Sequence, residues 1–337
     1  MSLSLKPTLA RLAQGETLSA EETEAAFGVV MDGQATPAQL GGMLMAMRAR
    51  GETVPELTGV VAALRKRMAR VNAPADAIDV CGTGGDGAAS LNISTAVTFV
   101  LAACGVPVAK HGNKALSSRS GGADVLGALG IGIEPPPDRL SVILREVGCV
   151  FLFAPRHHPA LRHAASVRVE LGTRTIFNLT GPLANPAGVT RQLMGVYDRK
   201  WLSPVAETLR DLGSESVWVV HGNGMDELVL EGENDVVSLK NGSLRHFGVT
   251  AADAGLPASP ISALKGGDAA YNAAALLALL RGEVGAYRDT VLLNASASLL
   301  VAERASTLAE GVAQAAQVID NGAALTVLER LKTLSKA

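Results

Sequence analysis

Residues Asp79 to Val97 read DVCGTGGDGAASLNISTAV, and the fold turns on this stretch. Its first residues, with Ala77 and Ile78 before them, have the texture of a short buried strand. The run from Ser94 onward reads as the start of an apolar helix. Between them, four glycines in Gly82-Thr83-Gly84-Gly85-Asp86-Gly87 let backbone N–H groups turn toward a ligand with no Cβ in the way. Ser90, Asn92, Ser94 and Thr95 add hydroxyl and amide groups where the positive end of a helix dipole favours an anion. Phosphate is the guest such a loop suits. A dinucleotide fingerprint is excluded, because the third glycine leads into more loop and Lys110 stands where the acidic residue should be. No G-x-x-x-x-G-K-[ST] occurs either.

Working outward, the chain after Ala73-Pro74 alternates short β-branched runs with helical patterns, the mark of a mostly parallel sheet. Strands are expected at 77–81, 106–110, 149–154, 192–197 and 216–221. An antiparallel pair is expected at 236–240 and 243–247, turning at Asn241-Gly242. Helices are expected at 94–104, 119–129, 138–147 and 200–212, with four more between 268 and 335.

Residues 4–72 carry no strand signal, only apolar residues at helical spacing, which predicts about four helices. Three of their starts carry capping boxes, at Ser19–Glu22, Thr36–Gln39 and Thr53–Glu56. Leu40, Met43, Leu44 and Met47 share one apolar face, which is either core or a subunit contact. The expected fold is therefore α/β: a small all-helical domain over 1–72, joined by a helical excursion near 160–186, and a larger domain over 73–337. The larger domain has a mostly parallel central sheet flanked by helices.

The chain has 337 residues, 48% of them hydrophobic, enough for a sizeable core. A net charge of −2 and only 3% aromatic residues argue against a nucleic-acid reader. Cys81, Cys104 and Cys149 are widely spaced in apolar runs and indicate neither disulfides nor zinc. The longest apolar run, Thr95 to Ala109, is broken by Gly105 and Pro107 and is too short to cross a membrane. No leader-like segment opens the sequence, so the cytoplasm is the expected location.

The second expected strand ends in Lys110-His111-Gly112-Asn113-Lys114-Ala115-Leu116-Ser117-Ser118-Arg119-Ser120-Gly121-Gly122. Loops after successive parallel strands emerge on one sheet edge, so this basic, hydroxyl-rich loop should lie beside the glycine loop. Lys110 and Lys114 would supply charge, and Ser117 and Ser118 oxygen ligands. Beyond the strand at 216–221, Asp226-Glu227 offers hard oxygen ligands, although such a pair by itself is more often a solvated turn.

Cys81–Gly87, Asn92–Thr95 and Lys110–Asn113, in this order and spacing, resemble the anthranilate phosphoribosyltransferases. Phe151–Arg168 and Leu171–Pro186 resemble that family's aromatic-substrate segment and the segment that follows it. The likeness runs nearly end to end. It implies transfer of the phosphoribosyl group of 5-phosphoribosyl 1-diphosphate (PRPP) to the amine of anthranilate, releasing pyrophosphate, in tryptophan biosynthesis. It further implies PRPP contacts at Gly82, Gly85, Asp86, Ser90, Asn92, Ile93, Ser94 and Thr95, and at Lys110, His111, Gly112, Asn113, Lys114, Ala115, Leu116, Ser117, Ser118 and Gly122.

Anthranilate would meet Gly82, Asn113, Arg168 and His158, with Arg168 anchoring its carboxylate. The competing reading of Arg168 is a surface ion pair with Glu170. Asp226, Glu227 and Ser94 would hold Mg2+, two ions per subunit when PRPP is bound. No residue is assigned as an acid or base, and His111 would orient the amine. A homodimer, and a separate synthase supplying anthranilate, complete what the resemblance implies. Lys114 stands where many relatives carry Arg, and Ser90 where some carry Thr, changes that keep charge and hydroxyl. The rivals are a pyrimidine nucleoside phosphorylase, which would use nucleoside and phosphate, and a nucleic-acid-binding relative of the fold, which should be basic.

Overall fold

The computed structural model describes residues 4–115 and 119–336. Four helices open the chain: α1 (Lys6–Ala13), α2 (Ala20–Met31), α3 (Pro37–Arg50) and α4 (Val54–Arg65). The capping boxes of Ser19, Thr36 and Thr53 form at the starts of α2, α3 and α4. Each satisfies N–H groups that a helix start otherwise leaves unpaired. Leu40, Met43, Leu44 and Met47 are all at most 2% exposed, so the α3 face is core and not a free subunit contact.

Seven strands form one sheet in the order β3-β2-β1-β4-β5-β6-β7. They are β1 (Ile78–Gly82), β2 (Val108–Gly112), β3 (Cys149–Phe153), β4 (Arg191–Gly195), β5 (Ser216–Gly222), β6 (Asn234–Lys240) and β7 (Ser243–Val249). The first five run parallel, while β6 and β7 are antiparallel. Asn241 and Gly242 both take positive φ between β6 and β7, as the expected tight hairpin requires.

The remaining helices are α5 (Ile93–Ala103), α6 (Gly122–Ala128), α7 (Pro137–Val147), α8 (Ala154–His157), α9 (Arg162–Leu171), α10 (Phe177–Leu183), α11 (Leu202–Asp211), α12 (Ala269–Leu280), α13 (Ala286–Val301), α14 (Leu308–Asp320) and α15 (Ala323–Leu334). Helix α9 packs on α2 and α3, and α10 on α4, so this excursion from the sheet completes the helical bundle. One core lies on the α5, α13 and α15 side of the sheet. The other joins the opposite sheet face, through Cys81, Met194, Val217 and Val219, to Phe27, Met43 and Leu57 of the bundle.

One strand differs from expectation in a way that matters. β2 begins at Val108, two residues late, because Pro107 has no N–H to give a ladder and Val106 instead bonds back to the Leu101 carbonyl. Lys110 is a strand residue as expected, paired with Phe151, and the strand runs on through His111 and Gly112, paired with Leu152 and Phe153, which are therefore not the first residues of a surface loop. Helix α6 likewise starts at Gly122 instead of 119, after an extended Gly121.

Candidate active site

The chain leaves β1 through α5 toward β2 and β3, then returns to β4 on the other side of β1. Loops part at the carboxyl end of β1, the switch point where open parallel sheets bind ligands. The glycine loop stands there, with φ of +68°, +77° and +80° at Gly84, Gly85 and Gly87, backbone that only glycine adopts freely.

Asp226 descends onto this edge from the loop after β5. Its Oδ2 accepts the Gly84 N–H at 2.7 Å. A Cβ on Gly82 would lie 2.2 Å from that same oxygen, and one on Gly195 would lie 1.5 Å from the Asp226 carbonyl oxygen. Strands β1 and β4 must thus both end in glycine for the acidic loop to sit where it does. Glu227 Oε1 accepts the Ser94 N–H at 3.2 Å, at the positive end of α5. Lys110 is 4% exposed, and its ammonium donates to the Val80 carbonyl at 2.6 Å and to Ser94 Oγ at 3.1 Å.

The two carboxyls are held above the ordinary carboxylate range. For Asp226 burial is the main cause and the nearby Asp86 carboxylate the next. Glu227 is pushed up to about 8, by burial first and Asp226 second, with Lys110 opposing. Such crowding favours a cation. Each acid has one oxygen tied to a backbone N–H, and the Asp226 carboxyl is also hydrogen-bonded to that of Asp86. Among the described residues no group of three or more His, Cys, Asp or Glu could hold a metal ion, so the protein builds no complete cage. A pair of carboxylates completed by waters and phosphate oxygens is the donor set Mg2+ takes, and the residues present fit that ion.

Beneath β2, Asp79 is fully buried and accepts the His111 N–H at 3.1 Å and Asn185 Nδ2 at 2.7 Å. His111 Nδ1 lies 3.0 Å from the Gly181 carbonyl, which can only accept, so the ring proton sits on Nδ1. Burial holds this imidazole well below its usual pKa and keeps it neutral, and Nε2 is a buried acceptor with no partner among the described residues. The His158 ring lies 5.1 Å from it, centroid to centroid, and burial lowers His158 to about 4. Arg168 stacks 5.5 Å over the Phe177 ring. No ion pair of the described residues includes Arg168, so the alternative pairing with Glu170 does not form.

Asn113 Oδ1 caps the Lys114 N–H at 2.8 Å, and the Asn113 carbonyl accepts the Ala123 N–H at 3.2 Å. Ala115 N–H and Gly121 N–H both bond Asp124 at 2.9 Å, closing this loop on itself.

Residues 6–68 match the sequence model of the "Glycosyl transferase family, helical bundle domain", and residues 74–325 that of the "Glycosyl transferase family, a/b domain". Anthranilate phosphoribosyltransferases of Rhodopseudomonas palustris (strain BisB18) and Mesorhizobium japonicum are 55% and 56% identical to the chain. Each match covers 98% of this chain and 98% or 99% of the relative. The chain belongs to the anthranilate phosphoribosyltransferase family. The crystal structure of the Thermus thermophilus member superposes with a TM-score of 0.93 at 44% identity, covering 98% of this chain and 99% of that one. The Saccharomyces cerevisiae member "in complex with PRPP and Mg" gives 0.88 at 25% identity, covering 98% of each.

Against that family, the fold brings the expected residues into four groups. Gly82 ends β1, and Gly85, Asp86, Ser90, Asn92, Ile93, Ser94 and Thr95 form the loop and first helical turn that follow it. Lys110, His111, Gly112, Asn113, Lys114 and Ala115 run along β2 and beyond it, with Gly122 opening α6 beside Thr95. Leu116, Ser117 and Ser118 lie outside the described residues. His158 and Arg168, expected to meet the acceptor, lie on the α8–α9 excursion, and Asp226 and Glu227, expected to hold the metal, on the loop after β5.

Sequence reasoning passed over several residues that hold this family site together. Asp79 was visible as an acid inside an apolar strand. Arg174 donates to the Gly85 carbonyl and stacks 4.0 Å over Tyr197. Asn272 and Tyr287 both bond Asn92. For these last, the signal was Lys265-Gly266-Gly267-Asp268, a glycine pair with an acid before an apolar helix.

Proposed function

We propose that this chain transfers the 5-phosphoribosyl group of PRPP to the amine of anthranilate, forming N-(5-phosphoribosyl)anthranilate and releasing pyrophosphate. The observation that carries this is the meeting of a glycine loop, the buried Lys110 and the Asp226-Glu227 pair at one switch point. The full-length likeness to enzymes of that name supports it.

PRPP would lie along the Gly82–Thr95 loop and the Lys110–Ala115 segment, with Leu116, Ser117, Ser118 and Gly122 completing its oxygen shell. Asp226, Glu227 and Ser94 would hold Mg2+, two ions per subunit, which when bound neutralises the departing pyrophosphate. Backbone N–H groups of the glycine loop would add to this as the anomeric C–O bond breaks.

The aryl amine is neutral and attacks without a base, so positioning is what the chain must provide. Arg168 would pair with the acceptor carboxylate in plane. Gly82 and Asn113 would orient the amine, and His111 Nε2 would accept a hydrogen bond from one of its N–H groups. His158 would shape the entry path. The protein would work in the cytoplasm as a homodimer, with anthranilate supplied by a separate synthase. Mixing the chain with anthranilate, PRPP and Mg2+ should extinguish anthranilate fluorescence. Undiminished fluorescence, with turnover of thymidine and phosphate instead, would overturn the proposal.

A further inference from the structure

Asn92 is gripped from a part of the chain far from it in sequence. Its carbonyl accepts the Tyr287 hydroxyl at 3.1 Å, and its side-chain Oδ1 accepts Asn272 Nδ2 at 2.8 Å. Asn272 is 1% exposed, and its own Oδ1 accepts the Gly267 N–H at 2.8 Å. A backbone N–H can only donate, so the oxygen of Asn272 must face Gly267 and its amine must face Asn92. What that amine meets must be an acceptor. The Asn92 oxygen is therefore turned toward α12 and its Nδ2 is turned away from it.

The segment before α12 is clamped to the same arm. Gly266 N–H bonds the Ala89 carbonyl at 2.8 Å, and Leu91 N–H bonds the Leu264 carbonyl at 2.9 Å. A Cβ on Gly266 would lie 2.5 Å from the Ser90 carbonyl oxygen and 2.9 Å from Asn272 Oδ1, so only glycine fits there.

We infer that Asn272 is a positioning residue for the phosphoribosyl donor: through Gly267 it fixes the amide of Asn92 so that Nδ2, a donor, faces the phosphates. This rests on the Ser90–Thr95 arm binding PRPP, as proposed above. A phosphate oxygen can accept but not donate, so an Asn92 turned over would present its oxygen to an anion and repel it.

Asn272→Asp separates this relay from simple support. A carboxylate of nearly the same shape still accepts from Gly267 but cannot donate to Asn92, whose amide should then turn over. Asn272→Ala removes the packing and leaves Asn92 free. Michaelis constants are measured for each substrate in turn, at saturating Mg2+, on the full chain. The Asp variant should raise the constant for PRPP roughly tenfold or more, and further than the Ala variant does, with the anthranilate constant within about twofold of wild type. An Asp variant equal to wild type, or milder than Ala, overturns the relay. If the Asp variant does not fold, the Ala variant should still raise the PRPP constant selectively, and equal rises for both substrates overturn the relay. Wild-type protein that consumes no anthranilate with PRPP overturns instead the functional reading beneath it.

Discussion

A guanidinium part-buried against a ring and facing no carboxylate is an unfinished interaction. Among the described residues Arg168 is in that position, stacked on Phe177, and burial lowers its pKa. A planar carboxylate would complete it with two parallel hydrogen bonds. Arg168→Ala should raise the Michaelis constant for anthranilate by roughly ten- to a hundredfold, the worth of a charge-assisted pair, and leave that for PRPP nearly unchanged. Comparing anthranilate with aniline, which lacks the carboxylate, supplies the control: the preference for anthranilate should collapse in the variant. An unaltered preference would remove Arg168 from the acceptor site. The residue type at 168 was legible in the sequence, but its freedom from Glu170 was not, since an acid two positions along reads as a partner until the helix direction is known.

At the scale of elements, the site exists because two strands end in glycine. Gly82 stands out in the sequence as part of a loop, whereas Gly195 reads only as part of a strand. Its importance depends on Asp226, a residue 31 positions away whose backbone covers it. Contacts of that kind leave no local trace in composition or periodicity.

The starts of α2, α3 and α4 were legible because a capping box is complete within four residues, as Thr53 and Glu56 illustrate. The start of β2 was not, because Pro107 looks like part of an apolar run while its missing N–H delays the ladder. Gly195→Ala should displace the Asp226-Glu227 loop. Expected are a loss of on the order of 1–3 kcal/mol of stability, seen as a lowered Tm, and a Mg2+ requirement shifted to higher concentration. Wild-type Mg2+ dependence in a folded Gly195→Ala protein would show that the loop does not need this seat.

Across the whole molecule, two cores back onto opposite faces of one sheet, so the helical bundle and the sheet domain share buried side chains and should unfold together. Their shared stability carries the imprint of the site. Asp226 and Glu227 hold their protons in the folded chain at pH values where an unfolded chain has released them. A group with its folded pKa raised makes stability fall as pH rises from the unfolded pKa through the folded one.

The histidines act in the opposite sense. His111 and His158 stay neutral in the fold, so the unfolded chain alone gains protons below about 6.5. The two effects overlap between roughly pH 4 and 6.5; above that range the carboxyls act first, joined toward pH 8.5 by the buried thiols of Cys81, Cys104 and Cys149, which burial also raises. In EDTA, Tm should therefore fall between about pH 6.5 and 8.5, with a slope of up to ~1.4 kcal/mol per pH unit for each proton released. Asp226→Asn combined with Glu227→Gln should flatten this fall. Added Mg2+ should raise the wild-type Tm more at pH 8.5 than at pH 6.5, because the ion competes with protons for the same oxygens. A wild-type Tm level across that range would mean that both carboxyls are already ionised at neutral pH.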